Sequence, residues 1–228
     1  MANARLQKHH LEQLAILIGI IKQNVRNYVP HIFDLVNELW DTSSLQLPLV
    51  TLVEALGKAL DAEFRPFLPS ILPRLLKVFD GELTDKCSAT QIKVFQAFRT
   101  FGANIDEYIP LVIPMVVKSY ERPDGSIALR KAAITTIEDL SQTLNISGHA
   151  SCIIHPLIRV LSTPNAELRT AVMDTFCALA HRLGSDFAIY VPTINKVYYA
   201  CLVQRVISDT PSPSASYVTV FYMIGTKF

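Results

Sequence analysis

The hydrophobic positions of this chain repeat along its length. An apolar residue is followed by a second apolar residue four positions later and by an aromatic residue seven positions later. This triplet occurs four times: Ile21, Val25, Tyr28; Leu60, Phe64, Phe67; Phe101, Ile105, Tyr108; Leu183, Phe187, Tyr190. Successive triplets begin 39, 41 and 82 residues apart. Because 82 is twice 41, a degraded fifth copy is expected at Leu144, and the chain is predicted to be built of repeats.

Each triplet is followed by a segment that can open a helix. A proline stands two residues after the aromatic residue in four copies: Pro30, Pro69, Pro110 and Pro192. Proline fits the first helical turn, where its missing N–H would have no partner within the helix. These segments are therefore predicted to be short first helices. Further prolines inside three of them predict a bend or a late helix start: Pro73, Pro114 and Pro156.

A longer amphipathic stretch precedes each triplet. The clearest example has apolar residues at helical spacing: Leu49, Leu52, Val53, Leu56 and Leu60. This spacing predicts a helix with one buried stripe. Polar stretches that favour turns separate each first helix from the next amphipathic stretch, at 41–44, 80–85, 121–126 and 162–165. Each repeat is therefore predicted to be a pair of helices.

The count of predicted elements defines a fold class. It comprises a leading helix at about 5–24, four helix pairs and a final first helix at about 190–204. A two-helix repeat near 40 residues is the HEAT or armadillo period, whereas about 33 or 34 residues would indicate ankyrin or TPR repeats. Since no pair can bury its stripe alone, neighbouring pairs must stack. We predict an all-α, HEAT/armadillo-like right-handed superhelix of antiparallel helix pairs over 1–204, and a Ser/Pro-rich linker with an unmatched tail over 205–228.

The recurring aromatic residues are predicted to serve packing. Tyr28, Phe67, Tyr108 and Tyr190 recur with the repeat, so we expect core or inter-repeat positions rather than a platform on which nucleic-acid bases stack.

Two of the predicted second helices carry an arginine after a capping signal. Arg130 follows DGSIAL, and Arg169 follows NAEL. A short Asp or Asn can cap the start of a helix. We expect each arginine to reach the capping residue of its own or a neighbouring repeat and to hold adjacent layers in register. The first two pairs lack this arginine.

Composition and charge narrow the class of partner. Hydrophobic residues make up 50% of the 228 residues, which is ample for a sizeable core. Lys and Arg total 21 against 20 Asp and Glu, so the net charge of +1 gives no electrostatic reason to expect nucleic acid or an anionic membrane. The apolar stretches at 14–21 and 109–117 fall far short of the roughly 20 residues that span a bilayer. We expect protein partners, no nucleic acid and no membrane insertion.

The cysteines and the N-terminus favour a reducing compartment. Four cysteines lie far apart without a C-x-x-C pair: Cys87, Cys152, Cys177 and Cys201. In so long and apolar a chain this pattern favours free, buried thiols. The first residues are polar, include Glu12 and lack the apolar core of a secretory signal. We expect a cytoplasmic protein. As part of a larger complex, endomembranes or the nucleus are alternative locations.

No catalytic or metal-binding motif emerges. The chain has no glycine-rich phosphate loop, and the string nearest to a metal-binding D-F-G is 79–81, in the wrong order and at a turn. His149, Cys152 and His155 are spaced by three, as zinc ligands on one helix could be. This spacing drifts round a helix, lacks a fourth ligand and adjoins Pro156. We expect a buried thiol beside two half-exposed histidines, with no metal, no cofactor and no catalytic residue.

Two further features concern cysteine and the tail. A Cys–His nucleophilic pair can form between residues distant in sequence. However, Cys177 lies in the apolar part of a second helix and Cys152 in a helix opening, so packing is favoured for both. Thr210 and Ser212 each precede a proline and are candidate sites for proline-directed phosphorylation.

Particular strings resemble the central helical-repeat region of the target of rapamycin (TOR) kinases, which are Ser/Thr protein kinases of the phosphatidylinositol-3-kinase-related family. The strings lie at 101–121, 130–161, 167–184 and 190–198. The resemblance runs from about 11 to 199 and includes solvent and turn residues that no packing rule would determine. From about Cys201 the sequence departs from that family.

The resemblance implies a non-catalytic scaffold. In the family this region contributes to the bridge between two TOR protomers, and neighbouring repeats engage the regulatory subunit Raptor in nutrient and growth signalling. The chain is then expected to be a fragment of a Ser/Thr kinase whose catalytic domain lies outside it. The alternative is a free-standing HEAT-repeat adaptor unrelated to kinase signalling. An enzyme with an all-helical active site is the third reading and requires a polar pocket.

Overall fold

The computed structural model describes residues 2–80 and 85–207. Ten α-helices occur in this part of the chain, and no strand does: α1 (Ala2–Ile21), α2 (Val29–Leu39), α3 (Gln46–Leu60), α4 (Leu68–Lys77), α5 (Asp85–Phe101), α6 (Ile109–Glu121), α7 (Ile127–Thr143), α8 (Ala150–Leu161), α9 (Ala166–Leu183) and α10 (Val191–Ile207). The predicted all-α fold is confirmed.

Two compact units divide the chain, Met1–Tyr108 and Ile109–Phe228. In the first unit, α1 packs on α3, and α3 packs on α5. In the second unit, α6 packs on α7 and α8, while α7 and α8 both pack on α9. The helix α1 is the predicted leading helix, and α3, α5, α7 and α9 are the predicted second helices. The predicted first helices are α2, α4, α6, α8 and, at the end, α10. The helix-pair repeat is therefore confirmed, whereas the domain boundary at residue 204 stays a prediction.

The repeating triplet connects the second helix of one pair to the first helix of the next. In four copies the connection is a seven-residue 3-10 helix: Lys22–Tyr28, Asp61–Phe67, Gly102–Tyr108 and Gly184–Tyr190. The middle apolar residue of each triplet is at most 1% exposed: Val25, Phe64, Ile105 and Phe187. The degraded copy after α7 differs, since Leu144 is extended and the connection keeps only the 3-10 helix Ser147–His149.

A left-handed backbone conformation begins each of these long connections. The φ angle is 49° at Lys22, 49° at Asp61, 48° at Gly102 and 55° at Gly184. Glycine tolerates a positive φ because it has no Cβ, whereas a residue with a side chain is strained there by about 1–3 kcal/mol. The first two copies therefore place strained residues where the later copies have glycine.

The prolines behave differently at the two predicted positions. Pro30, Pro69, Pro110 and Pro192 lie at the second residue of their helices, as predicted. The late helix start expected from the interior prolines is wrong, because α4, α6 and α8 begin earlier and run through them: Pro73, Pro114 and Pro156. Each interior proline removes a single main-chain donor, and apolar residues around it remain buried, so the helix continues through it. The alternative expectation, a bend at these prolines, stays a prediction.

An aromatic cluster joins consecutive helix pairs in the first unit. Phe64 is fully buried, and its ring stacks on that of Phe101 at a centroid distance of 5.0 Å. The ring of Phe67 stacks on that of Phe33 at 4.7 Å, and both lie within 6.3 Å of Phe64. Phe33 belongs to α2 and Phe101 to α5, so the cluster links two successive helix pairs through the connection that carries Phe64 and Phe67.

Gly57 in α3 lies against this cluster and is expected to resist any side chain. A Cβ there would lie 2.6 Å from Cε1 of Phe101, a ring already held by Phe64. We expect Gly57→Ala to lower the free energy of unfolding by about 1–2 kcal/mol, because overpacking outweighs the gain of about 1 kcal/mol in helix propensity. Urea unfolding followed by circular dichroism measures the change.

Gly19 in α1 provides the matched control for that substitution. An added Cβ at Gly19 would meet no atom within 4 Å. Gly19→Ala is therefore expected to raise the free energy of unfolding by roughly 0.5–1 kcal/mol through helix propensity alone. If Gly57→Ala were as stabilising as Gly19→Ala, the close approach of Phe101 would be refuted.

Candidate functional site

The four recurring aromatic residues differ in exposure. Tyr28 is 62% exposed, Phe67 and Tyr108 are half-buried, and Tyr190 is buried. Tyr28 therefore does not lie in the core of the described residues, and an inter-repeat position for it stays a prediction.

The contacts of the other aromatic residues explain this difference. Phe67 stacks on Phe33, which belongs to the first helix of the preceding pair. Tyr190 meets the ring of His155, in the first helix α8, at 5.6 Å in an edge-on arrangement. Among the described residues α1 alone precedes Tyr28, so no first helix is available to cover its ring.

Arg130 ties the end of one helix to the start of the next. It is 8% exposed, and its Nε donates to the main-chain carbonyl of Tyr120 at 2.8 Å. Tyr120 is the last residue but one of α6, where carbonyl groups lack partners within the helix and carry the negative end of the helix dipole. The hydrogen bond from Arg130 therefore satisfies a carbonyl that would otherwise stay unpaired. Burial of the Arg130 guanidinium lowers its pKa.

Tyr120 extends this connection to the next pair of the second unit. Its ring is fully buried, and its hydroxyl donates to the main-chain carbonyl of Ile153 in α8 at 2.9 Å. Burial, with the neighbouring Glu121 carboxylate, raises the pKa of the Tyr120 hydroxyl well above its usual value. Arg130, Tyr120 and Ile153 thus form one polar link inside an apolar core.

Arg169 makes an equivalent bond one repeat later. It stands four residues after the N-cap Asn165, and Arg130 stands four after the N-cap Ser126. Its Nη1 donates to the main-chain carbonyl of Thr163 at 3.0 Å, just beyond α8. Both bonds thus join two helices of one pair.

The capping predictions are half right. Asn165 accepts a hydrogen bond from the main-chain N–H of Leu168, as expected. For α7 the expected Asp124 is wrong, because Ser126 accepts the bond from Leu129 N–H. Asp124 lies before the cap and pairs with Arg122, which lowers the pKa of the Asp124 carboxyl.

Polar links between successive pairs come from residues that sequence analysis did not select. They are Arg26 with Glu63, Glu54 with Lys93 and Thr100, Asn104 with the carbonyl of Asp61, and Glu121 with Arg159. The partners lie 37–46 residues apart, close to one repeat. In the sequence, charged residues of opposite sign about one repeat apart were the signal that could have identified these pairs. Exposed pairs of this kind contribute about 0–1 kcal/mol each, so they secure register more than stability.

The His149, Cys152 and His155 triplet does not converge. Cys152 is exposed, and its Sγ donates to the carbonyl of His149 at 3.0 Å. The predicted burial of Cys152 is wrong, because α8 turns Ile153, Ile154 and Pro156 inward and Cys152 and His155 outward. Within residues 2–80 and 85–207 no three His, Cys, Asp or Glu side chains lie close enough together to hold a metal ion.

Cys177 in α9 is half-buried. Burial, with the Asp174 and Glu138 carboxylates, raises the pKa of its thiol to about 11. At neutral pH it is therefore protonated, which makes it a poor nucleophile. Thr210 and Ser212 lie outside the described residues.

One side of α1 forms an exposed apolar surface. Three apolar residues on the opposite side of the helix are buried: Leu11, Ala15 and Ile18. The large apolar residues exposed on α1 are Leu6 at 55%, Ile16 at 57%, Leu17 at 49% and Ile20 at 71%. We call Leu6, Leu17 and Ile20, with Tyr28, the α1 outer face.

The next repeat shows what this surface corresponds to. The equivalent positions 39 residues later are Leu45, Leu56, Ala59 and Phe67. The first three are buried, and α1 packs on α3 and on the 3-10 helix Ser43–Leu45 that carry them. Phe67 stacks on α2. In the second repeat this surface is thus covered by α1 and α2, whereas in the first repeat it is exposed among the described residues.

No helix within the described residues combines the length and the apolar character needed to cross a membrane.

Comparison with known proteins identifies relatives of this arrangement. Residues 40–222 match a family described as importin subunit beta-1-like, TPR repeats. The serine/threonine-protein kinase tor1 of Schizosaccharomyces pombe is 40% identical over 229 residues, which cover 96% of this chain and 10% of that protein. The serine/threonine-protein kinase TOR2 of Saccharomyces cerevisiae is 33% identical over 200 residues, which cover 88% of this chain and 8% of that protein.

A solved structure of importin beta has the same fold. It superposes with a TM-score of 0.61 at 18% identity and covers 94% of this chain and 26% of that one. The chain spans about a tenth of the length of the TOR relatives it matches.

Proposed function

Because the chain belongs to the importin beta-1-like helical-repeat family and is homologous over most of its length to a segment of the TOR serine/threonine kinases, we propose that it is a non-catalytic scaffold of a TOR-type assembly. Its helix-pair surfaces hold other proteins or other parts of the same assembly. The kinase activity named for the relatives belongs to parts of those proteins outside this segment.

The α1 outer face is the observation that carries this proposal. Leu17 and Ile20 are about half and about seven-tenths exposed, although the equivalent Leu56 and Ala59 are buried in α3, on which α1 packs. Surfaces of clustered exposed apolar side chains mark protein contacts. A further helical repeat, packed as α1 packs on α3, has the shape and chemistry to cover this surface.

The homology to TOR kinases supports a proposal for the protein partners of this segment. We propose that the segment supports association of two TOR protomers and binding of a Raptor-like regulatory subunit. Work of this kind depends on the relative placement of helix pairs, so a change that disturbs stacking is expected to weaken assembly before it affects the kinase chemistry.

A segment exchange in the fission-yeast relative tests this role. The homologous segment of tor1 is replaced by this chain, either unchanged or with Leu17→Asp and Ile20→Asp. We expect the unchanged segment to preserve co-precipitation of two differently tagged protomers and of the regulatory subunit. Two carboxylates on the α1 outer face are expected to reduce both by about tenfold or more, since an unpaired buried charge costs several kcal/mol.

His31→Asp and Asn37→Asp provide the matched control, because they add the same charge at exposed positions of α2. They are expected to leave assembly unchanged. If a flexible linker in place of the whole segment preserves association of protomers and regulatory subunit, the scaffold proposal is wrong.

A further inference from the structure

A groove in the first unit is lined by three residues whose type is unfavourable for the backbone conformation that each adopts. It lies between the C-terminal ends of α1 and α3 and has a volume of about 780 Å³. Gly19, Ala55 and Ala59 are among its lining residues, as are the charged residues Lys22, Lys58 and Asp61. Its size falls in the range of ligand-binding clefts, which is roughly 300–1,000 Å³.

At two of these three residues, Lys22 and Asp61, the unfavourable feature is backbone strain. In the described chain, Lys22 and Asp61 are the two non-glycine residues with positive φ, and both line this groove. The equivalent Gly102 and Gly184 show that the repeat accepts glycine there. Asp61 also follows the C-terminal end of α3, where the helix dipole disfavours a negative charge.

The third cost is Gly19, which lies inside the last turns of α1. Glycine there is about 1 kcal/mol less favourable than alanine. Packing does not require it, since an added Cβ would meet no atom within 4 Å. A methyl group at Gly19 would instead project into the open groove. Departures from local preference that gather at one place, without a packing reason, are typical of functional sites.

The charged groups of the groove are available for a ligand. In the described part of the chain, the side chains of Lys22, Lys58 and Asp61 make no hydrogen bond or ion pair. The positive charge of Lys58 also interacts favourably with the C-terminal end of the α3 helix dipole, and this interaction alone would explain a lysine in the last turn. That explanation does not extend to Lys22 and Asp61, because each would be less strained as glycine.

We propose that this groove binds an extended acidic peptide segment of a partner protein. The small residues Gly19 and Ala55 let a main chain approach closely, while Lys22 and Lys58 pair with its carboxylates. Asp61 accepts a main-chain N–H of the peptide. Asp61 repels the phosphates of a nucleic acid, whose phosphodiester backbone offers no N–H donor to its carboxylate, so a peptide fits this groove better than a nucleic acid does. The site specifies one contact of the proposed scaffold and rests on that function.

Selection from a random peptide library tests the proposal. Phage-displayed 12-residue peptides are selected on the full 228-residue chain after depletion on the Lys22→Glu/Lys58→Glu variant. We expect enriched peptides to carry at least two acidic residues. Fluorescence anisotropy with the most enriched labelled peptide is expected to show about tenfold or greater weakening in that variant. Lys77→Glu/Lys196→Glu, at exposed positions elsewhere, is the charge-matched control and is expected to bind unchanged.

Gly19→Ala and Asp61→Gly separate a binding role from a structural one. Both are expected to raise the urea midpoint while weakening the peptide several-fold, a combination that loss of folding cannot produce. Enriched peptides that are neutral or basic, or that bind all variants equally, would overturn the proposal, as would selective binding of a single-stranded oligonucleotide instead of peptides. Because the isolated chain is used, failure here leaves the segment-exchange test of the scaffold role intact.

Discussion

Phe64→Ala is expected to lower the free energy of unfolding by about 3–5 kcal/mol, the largest effect of any single substitution considered for this chain. Phe64 is fully buried, and its ring lies between those of Phe33, Phe67 and Phe101. Truncation removes the apolar contact of the ring and leaves a cavity whose walls are three other rings. Those rings belong to successive repeats, so they cannot collapse without shifting whole helices.

Urea unfolding monitored by circular dichroism measures the loss in stability, and hydrogen exchange read by mass spectrometry locates it. We expect the greatest increase in exchange at 61–67 and at the ends of α2 and α5, which the cluster joins. The control is Tyr28→Ala, which removes a similar ring from a position that is 62% exposed. It is expected to change stability by less than about 0.5 kcal/mol. Equal losses for the two variants would contradict the assigned core.

Arg130→Ala is expected to lower the free energy of unfolding by about 2–3 kcal/mol. The substitution removes a charge-assisted hydrogen bond to the Tyr120 carbonyl and leaves that acceptor without its donor. It also removes the packed aliphatic stem of a side chain that is only 8% exposed. Because Tyr120 bonds the carbonyl of Ile153, the disturbance is expected to reach α8.

Arg159→Ala is the control for this second prediction. Arg159 pairs with Glu121 at the surface, where its side chain is 61% exposed. Its removal is expected to cost less than about 1 kcal/mol. Thermal and urea unfolding of both variants, with hydrogen exchange across 147–161, measure the contrast. A loss at Arg159 as large as that at Arg130 would show that charge rather than burial determines the effect.

The helical architecture was predictable because it depends on spacing within the chain. The triplet Leu60, Phe64 and Phe67 repeats at a fixed interval, and proline at Pro69 identifies the helix that follows. Helical periodicity and helix-opening chemistry are local properties, so both can be recognised without knowing what packs against them. The connection after α7 was also predictable, but its 3-10 helix, which is shorter than those of the other four connections, was not.

Contacts between helices were beyond the same reasoning. Tyr28 and Phe67 occupy the same place in the repeat, yet among the described residues Phe67 stacks on Phe33 of a first helix whereas Tyr28 is exposed. Cys152 looks like a helical core residue in sequence, and the rotation of α8 exposes it. Arg130 was expected to reach a capping residue, but its acceptor is a carbonyl of the preceding helix. Exposure and partner depend on neighbours distant in sequence.

The candidate surfaces follow the same division. The sequence by itself determined the repeat, the helix pairs and the homology to a TOR segment. Only the tertiary structure decided that Leu17 and Ile20 form an open surface, and that Lys22 and Asp61 share a groove with strained backbone. The physical reason is that periodicity follows from one helix alone, whereas burial and strain depend on how several helices pack together.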